Sequence, residues 1–235
     1  MSDSNTSSQL EELYPFLHGK KKDSDSESKA LLESVKQKAA HSVTEKQRFF
    51  KDNAQNIVNA AQAISEVYLK KGRMLSMGNG GSSCDASHFA VEFQHPVTAG
   101  RPALPAINLV MDSAMISAVG NDIGMKHVFV RQLEAHATQN DGLMGFSTSG
   151  NSENLISAYQ KAKEMGLVTL GLAGGNGGDM LSSGLVDHCM IVDSDSIHRV
   201  QEVHVATYHI LWDLVHTLLA DQRGNLAKSE SRSTA

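Results

Sequence analysis

Between Met77 and Glu92 the chain reads MGNGGSSCDASHFAVE, and this one stretch carries several kinds of chemistry. Gly78-Asn79-Gly80-Gly81-Ser82 is a turn almost bare of side chains. Such a backbone approaches an anion closely and points its N–H groups at it. Ser82 or Ser83 has the side chain of an N-cap, which predicts a helix starting there with its positive dipole end on the same spot. On that helix His88 and Glu92 are four residues apart and share a face. An anion cradle, an imidazole and a carboxylate together are the parts of an acid–base site. Taken singly, the turn is equally a tight connection, and the His/Glu pair equally a solvent-facing one.

Two more segments carry suitable groups. Ser147-Thr148-Ser149-Gly150-Asn151-Ser152 sets three hydroxyls before a glycine and a helix start. Hydroxyls and helix N–H groups make a phosphate site without any cation, or else Ser152 simply caps the helix. Ser117–Asp122 again places small polar groups near a turn, whereas Ala173–Gly178 is glycine-dense without hydroxyls and reads as a flexible loop. Near the end, Arg199-Val200-Gln201-Glu202-Val203-His204 and then His209 fall in one long helical pattern. Gln201 and His209 are two full turns plus about 80° apart, so both lean toward one side, with His204 on that broad side too. His209 is flanked by Tyr208, Ile210, Leu211 and Trp212, and a buried histidine satisfied by one hydrogen bond is the other reading of it.

The elements that must position these residues follow a strand–turn–helix rhythm after Gly72. Short unalternating apolar runs at 73–77, 105–110, 142–147, 167–172 and 187–192 read as strands. Helical spacing separates them at 83–94, 113–118 with 124–137, 152–165 and 179–184, and a long last helix covers 197–221. The pattern predicts a parallel sheet sandwiched between helices, with ligands outside the carboxyl ends of the strands. Ahead of it, apolar residues from Leu32 to Tyr68 recur at helical spacing, read as two helices of an N-terminal extension used for packing or subunit contact. The expected organisation is a disordered tail at 1–27, the extension at 28–71, the α/β domain at 72–221 and a tail at 222–235.

Composition narrows the class. At 235 residues the chain suits one α/β domain plus an extension. A formal net charge of -5 gives no footprint for nucleic acid or an anionic membrane surface. No run is apolar enough to span a bilayer, and the start MSDSNTSSQLEEL lacks the features of a signal peptide, so the expected location is the cytoplasm. Cys84 and Cys189 are distant in sequence and read as small buried thiols rather than a disulfide.

The strand–GNGGS–helix turn, the Ser147–Ser152 loop and the Arg199–His204 helix, in this order and spacing, resemble the SIS (sugar isomerase) domain, and within it the phosphoheptose isomerase family. The resemblance runs from about Phe49 to Ala220. It implies a five-stranded parallel sheet between helices, a homotetramer, and an aldose–ketose isomerase acting on sedoheptulose 7-phosphate in heptose nucleotide synthesis for cell-envelope glycans such as lipopolysaccharide. By the family's pattern, one zinc ion per subunit is held by His88, Glu92, Gln201 and His209, with Glu92 as base and His209 as acid. Substrate contacts fall on Asn79, Gly80, Gly81, Glu92, Asn121, Asp122, Ser147, Thr148, Ser149, Ser152 and Gln201. Two imidazoles, a carboxylate and an amide oxygen suit Zn²⁺, with Mn²⁺ or Ni²⁺ as alternatives. Two positions depart from the family: Pro96 stands where an Arg is usual, and His198 where an acidic residue is common. Both bear on which sugar is taken. The rival readings are a non-catalytic relative that binds a sugar phosphate or associates with a replication initiator, and an isomerase for a different sugar phosphate.

Overall fold

The computed structural model describes residues 24–230. Most of the tail expected at 1–27 and the end of the one expected at 222–235 lie outside those residues. A first unit ends at Val43. Its described part is the start of helix α1, Ser24–Leu69, where Leu31, Leu32 and Val35 are exposed. The segment expected to hold two helices is thus one, because no glycine or proline interrupts it and its polar middle is still made of helix formers.

The second unit, from Thr44 onward, is a three-layer α/β domain. Its strands are β1 (Met74–Gly78), β2 (Ala106–Asn108), β3 (Gly142–Ser147), β4 (Val168–Gly174) and β5 (His188–Val192). All pair in parallel, in the order β2-β1-β3-β4-β5. The helices are α2 (Gly81–Gln94), α3 (Ser113–Asp122), α4 (Val128–His136), α5 (Glu153–Glu164), α6 (Gly178–Ser182) and α7 (Ile197–Glu230), with a 3-10 turn at Met125–His127. The sheet agrees with the expected class. The differences are local: α3 is longer than expected and separated from α4 by the 3-10 turn, and α7 runs past 221.

Side chains alternate across a strand, so each strand feeds two cores. On one face Met74, Met144, Phe146, Leu170 and Leu172 pack with Ile57, Ile64, Phe89, Phe93, Val203 and Leu211 from α1, α2 and α7. On the other, Leu75, Met77, Leu143 and Ala173 pack with residues of α3 to α6, such as Phe129, Leu155 and Tyr159. Helices α2 and α7 therefore lie side by side on one face. Their N-terminal ends sit just past the strand ends that carry the candidate loops.

Candidate active site

Strand β1 delivers the first loop and α2 leaves it after two residues. The N-cap is Gly80, with φ 53 and no side-chain capping bond, rather than Ser82 or Ser83. Ser83 Oγ instead donates to Gly80 O at 2.6 Å, and Ser82 N to Asn79 O at 2.9 Å. A left-handed backbone at this point suits glycine, and it turns the chain into the helix without help from a hydroxyl. Asn79 and Asn154 exchange two amide hydrogen bonds of 2.9 Å, which ties the turn to the first turn of α5. Gly81 has its own constraint: a Cβ there would collide with Gln201 Nε2 from α7.

Seven residues into α2, the ring of His88 presents Nε2 to Glu92 Oε1 at 3.0 Å. From α7, His209 Nε2 stands 3.9 Å from the same oxygen, and the two imidazole rings are 5.0 Å apart, edge to face. One ligand atom each from His88, Glu92 and His209 lies within 4.8 Å of the others. His209 is half-exposed, so the buried-histidine reading does not hold for it. It is His204, expected on the same side, that is fully buried, beside Phe146. Gln201 lies at Gly81, about two turns of α2 before His88.

Two further contacts hold this cluster, and both link α2 to α7. Tyr208 Oη is 2.7 Å from His88 Nδ1, and Trp212 Nε1 donates to the Glu92 carbonyl at 2.8 Å. Residues four apart on one helix thus grip residues four apart on the other, a matched turn on each. The Arg101 guanidinium stacks 4.4 Å from the Trp212 ring and pairs with Asp213. Asp85, one turn before His88, is buried with Oδ2 unpartnered. Burial pushes its carboxyl up to about 6, the His88 charge opposing.

The second loop follows β3. Gly150 N donates to Ser147 Oγ at 3.0 Å, Asn151 N to Ser149 Oγ at 3.2 Å, and the Ser147 and Ser152 hydroxyls are 3.3 Å apart. Ser152 is the N-cap of α5 by position but makes no capping bond with its side chain. Asn151 Oδ1 accepts from Asp179 N, and Met180 N donates to Gly150 O. The glycine-dense segment read as a flexible loop is therefore packed against this one. A Cβ on Gly150 would collide with the Gly177 carbonyl, so close approach explains the glycines. Between the two loops a cavity of about 330 Å³ is lined by Asn79, Ser152, Glu153, Asn154, Met125 and Lys126. Asn121 and Asp122, bonded to each other at 2.9 Å, are exposed at the end of α3.

The comparisons with known proteins agree on one group. Residues 39–174 match the family model of the SIS domain. A phosphoheptose isomerase of Solidesulfovibrio magneticus is 42% identical over 168 residues, 72% of this chain and 81% of the relative. One of Campylobacter jejuni is 43% identical over 159 residues, 68% of this chain and 84% of that protein. The chain belongs to the phosphoheptose isomerase family of SIS-domain proteins. The solved phosphoheptose isomerase of Neisseria gonorrhoeae superposes with a TM-score of 0.74 at 34% identity, covering 80% of this chain and 99% of that one.

Within this SIS domain the structure brings His88, Glu92 and His209 together, and gathers Asn79, Gly80, Gly81, Ser147, Ser152 and Gln201 around the strand ends. Pro96 lies just past the end of α2 and His198 is exposed in the first turn of α7. Sequence reasoning missed Lys126, Asp85, Tyr208 and Trp212. Asp85 was findable, since 85, 88 and 92 share a helical face. The other three act across folded contacts that no local spacing announces.

Proposed function

We propose that the chain is an aldose–ketose isomerase that interconverts sedoheptulose 7-phosphate and D-glycero-D-manno-heptose 7-phosphate. The observation that carries this reading is the convergence of Glu92, His88 and His209 from two helices, beside two anion-cradling loops. Two imidazole nitrogens and a carboxylate oxygen fit zinc, and the Gln201 amide, which lies at Gly81, would complete the set only by swinging toward them. Zinc bound there would supply Lewis-acid polarisation of the sugar's carbonyl oxygen.

The chain's own residues do the rest. The Ser147–Ser152 loop and the Asn79–Gly81 turn hold the phosphate and hydroxyl groups, and Lys126 adds a cation at the cavity rim. Glu92 takes the proton from C1 of the ketose and returns it to C2 through an enediol. His209 gives a proton to the C2 oxygen and then takes the one that the C1 hydroxyl gives up, so the carbonyl moves from C2 to C1 with no net redox change. Such proton transfers are commonly worth about 10²–10⁴-fold each. A carboxylate that held zinc would be a weaker base, so Glu92 would serve the proton transfer best when free of the metal.

Assay of sedoheptulose 7-phosphate turnover, with added zinc and after chelation, tests the reading. Glu92→Gln keeps shape and hydrogen bonding but removes basicity. It should fold and bind the sugar phosphate while turnover falls by about 10²–10⁴-fold. An active Glu92→Gln enzyme excludes Glu92 from proton transfer. A homotetramer and a cytoplasmic location belong to the same reading, and light scattering reads the first. A base and an acid brought together at one cluster, Glu92 and His209, favour the enzyme over a non-catalytic binding module.

A further inference from the structure

His88 has two ring nitrogens, and the site uses one of them. Nε2 faces Glu92 Oε1, while Nδ1 faces the Tyr208 hydroxyl at 2.7 Å. In a neutral imidazole one nitrogen carries the proton and the other a lone pair, so the partner of one sets the state of the other. Tyr208 is well suited to be that partner. It is buried, with its ring edge-on to Phe146 at 5.9 Å and tilted against His209 at 4.9 Å. A tyrosine hydroxyl is neutral near pH 7. A neutral hydroxyl both donates and accepts, and it pairs with Nδ1 in either tautomer.

We propose that Tyr208 is the positioning residue of the cluster: its hydroxyl holds Nδ1 of His88 so that Nε2 is delivered to the side shared by Glu92 and His209. When Nε2 ligates a metal, Nδ1 bears the proton and donates to Tyr208 Oη. Tyr208 then holds the orientation of the ring, and by accepting from Nδ1 it raises the basicity of Nε2. The same side chain packs against His209, so one residue of α7 sets both imidazoles. Trp212, one turn on, holds the Glu92 backbone in the same way. The metal part of this rests on the zinc reading above.

Tyr208→Phe removes the hydroxyl and keeps the ring against Phe146 and His209. The test uses full-length protein purified without chelator or metal-affinity tag, with the apo thermal midpoint as the folding control. Zinc titration should show affinity about tenfold weaker or worse, the usual consequence of losing an outer partner of a ligating histidine. The ¹⁵N signals of the His88 ring should show loss of the Nδ1 hydrogen bond in the variant. Zinc affinity unchanged within about twofold would overturn the proposal, whatever the ring signals do. Wild-type protein that takes up no zinc sinks the metal reading instead. The ring signals of metal-free protein then decide alone: altered in Tyr208→Phe they support Tyr208 as the positioning residue, and unaltered they overturn it.

Discussion

Lys126 would give the proposed phosphate site a cation that the hydroxyl-rich loop lacks. It lies in the 3-10 turn Met125–His127 and lines the same cavity as Asn79 and Ser152. A charge-assisted contact to phosphate is commonly worth about 1.5–3 kcal/mol, and an exposed lysine falls at the low end. Lys126→Ala should therefore raise KM for the sugar phosphate about tenfold and leave kcat nearly unchanged, because such binding is shared by ground and transition states. Steady-state kinetics with saturation curves read this directly, and a fall in kcat at constant KM would contradict it. Ser149→Ala should shift KM in the same direction if the Ser147–Ser152 loop holds the phosphate. The difference between what the sequence showed and what it hid is clear at this scale. His88 and Glu92 were legible because four-residue spacing on one helix is a local fact. Lys126 was not, because only the fold carries the 3-10 turn to the mouth of β1.

At the scale of elements, the site depends on how closely α7 lies against the start of α2. Gly81→Ala would drive a Cβ into the Gln201 amide. The Gln201 side chain can swing away, so the protein should stay folded, but the amide is displaced from the turn. Activity should fall by an order of magnitude or more with little change in thermal midpoint, as measured by assay and calorimetry side by side. The strands were read correctly because short apolar runs bounded by glycine and polar turns have few alternatives in a sheet covered on both faces. The helix starts were read less well. Ser82 and Ser83 have the right chemistry for a cap, yet the close β1–α2 turn demands a left-handed residue, and Gly80 takes the position. Backbone geometry outranked side-chain chemistry there.

For the whole molecule, stability in acid should carry the mark of His204. Burial holds its imidazole down at about 4 against an ordinary value of 6.5, the Ala173 backbone working weakly the other way. The folded state therefore binds fewer protons than the unfolded chain between those two values. Its contribution is fully present above the unfolded value and is lost as pH falls through this window, on the order of 3 kcal/mol in all. Asp85, raised to about 6, acts in the opposite sense, since the folded state keeps a proton the unfolded chain gives up. In metal-free protein, His204→Leu should flatten the fall in denaturant stability between pH 6.5 and 4. Asp85→Asn should steepen it. A His204→Leu curve parallel to wild type would contradict the assignment. Nothing in the spacing of His204 distinguished it from His209; the fold alone turned one inward and left the other at the site. Removing residues 1–23 should leave activity unchanged, because both cores and every site residue lie beyond them.

Helix α7 has a consequence for the chain's synthesis. It brings Val200, Val203, Leu211, Val215 and Leu219 to one core, and His209 with Tyr208 to the site, yet it leaves the ribosome after every strand of the sheet. Until it emerges, the apolar face formed by Met144, Phe146, Leu170 and Leu172 lacks part of its cover. All-parallel pairing makes each sheet contact non-local, so the nascent chain has few early contacts to hold it together. A stalled chain ending at residue 196 should stay protease-sensitive and chaperone-bound, and release of the full chain should convert it to a resistant form. Folding and the assembly of the proposed proton-transfer pair would then be a single late event.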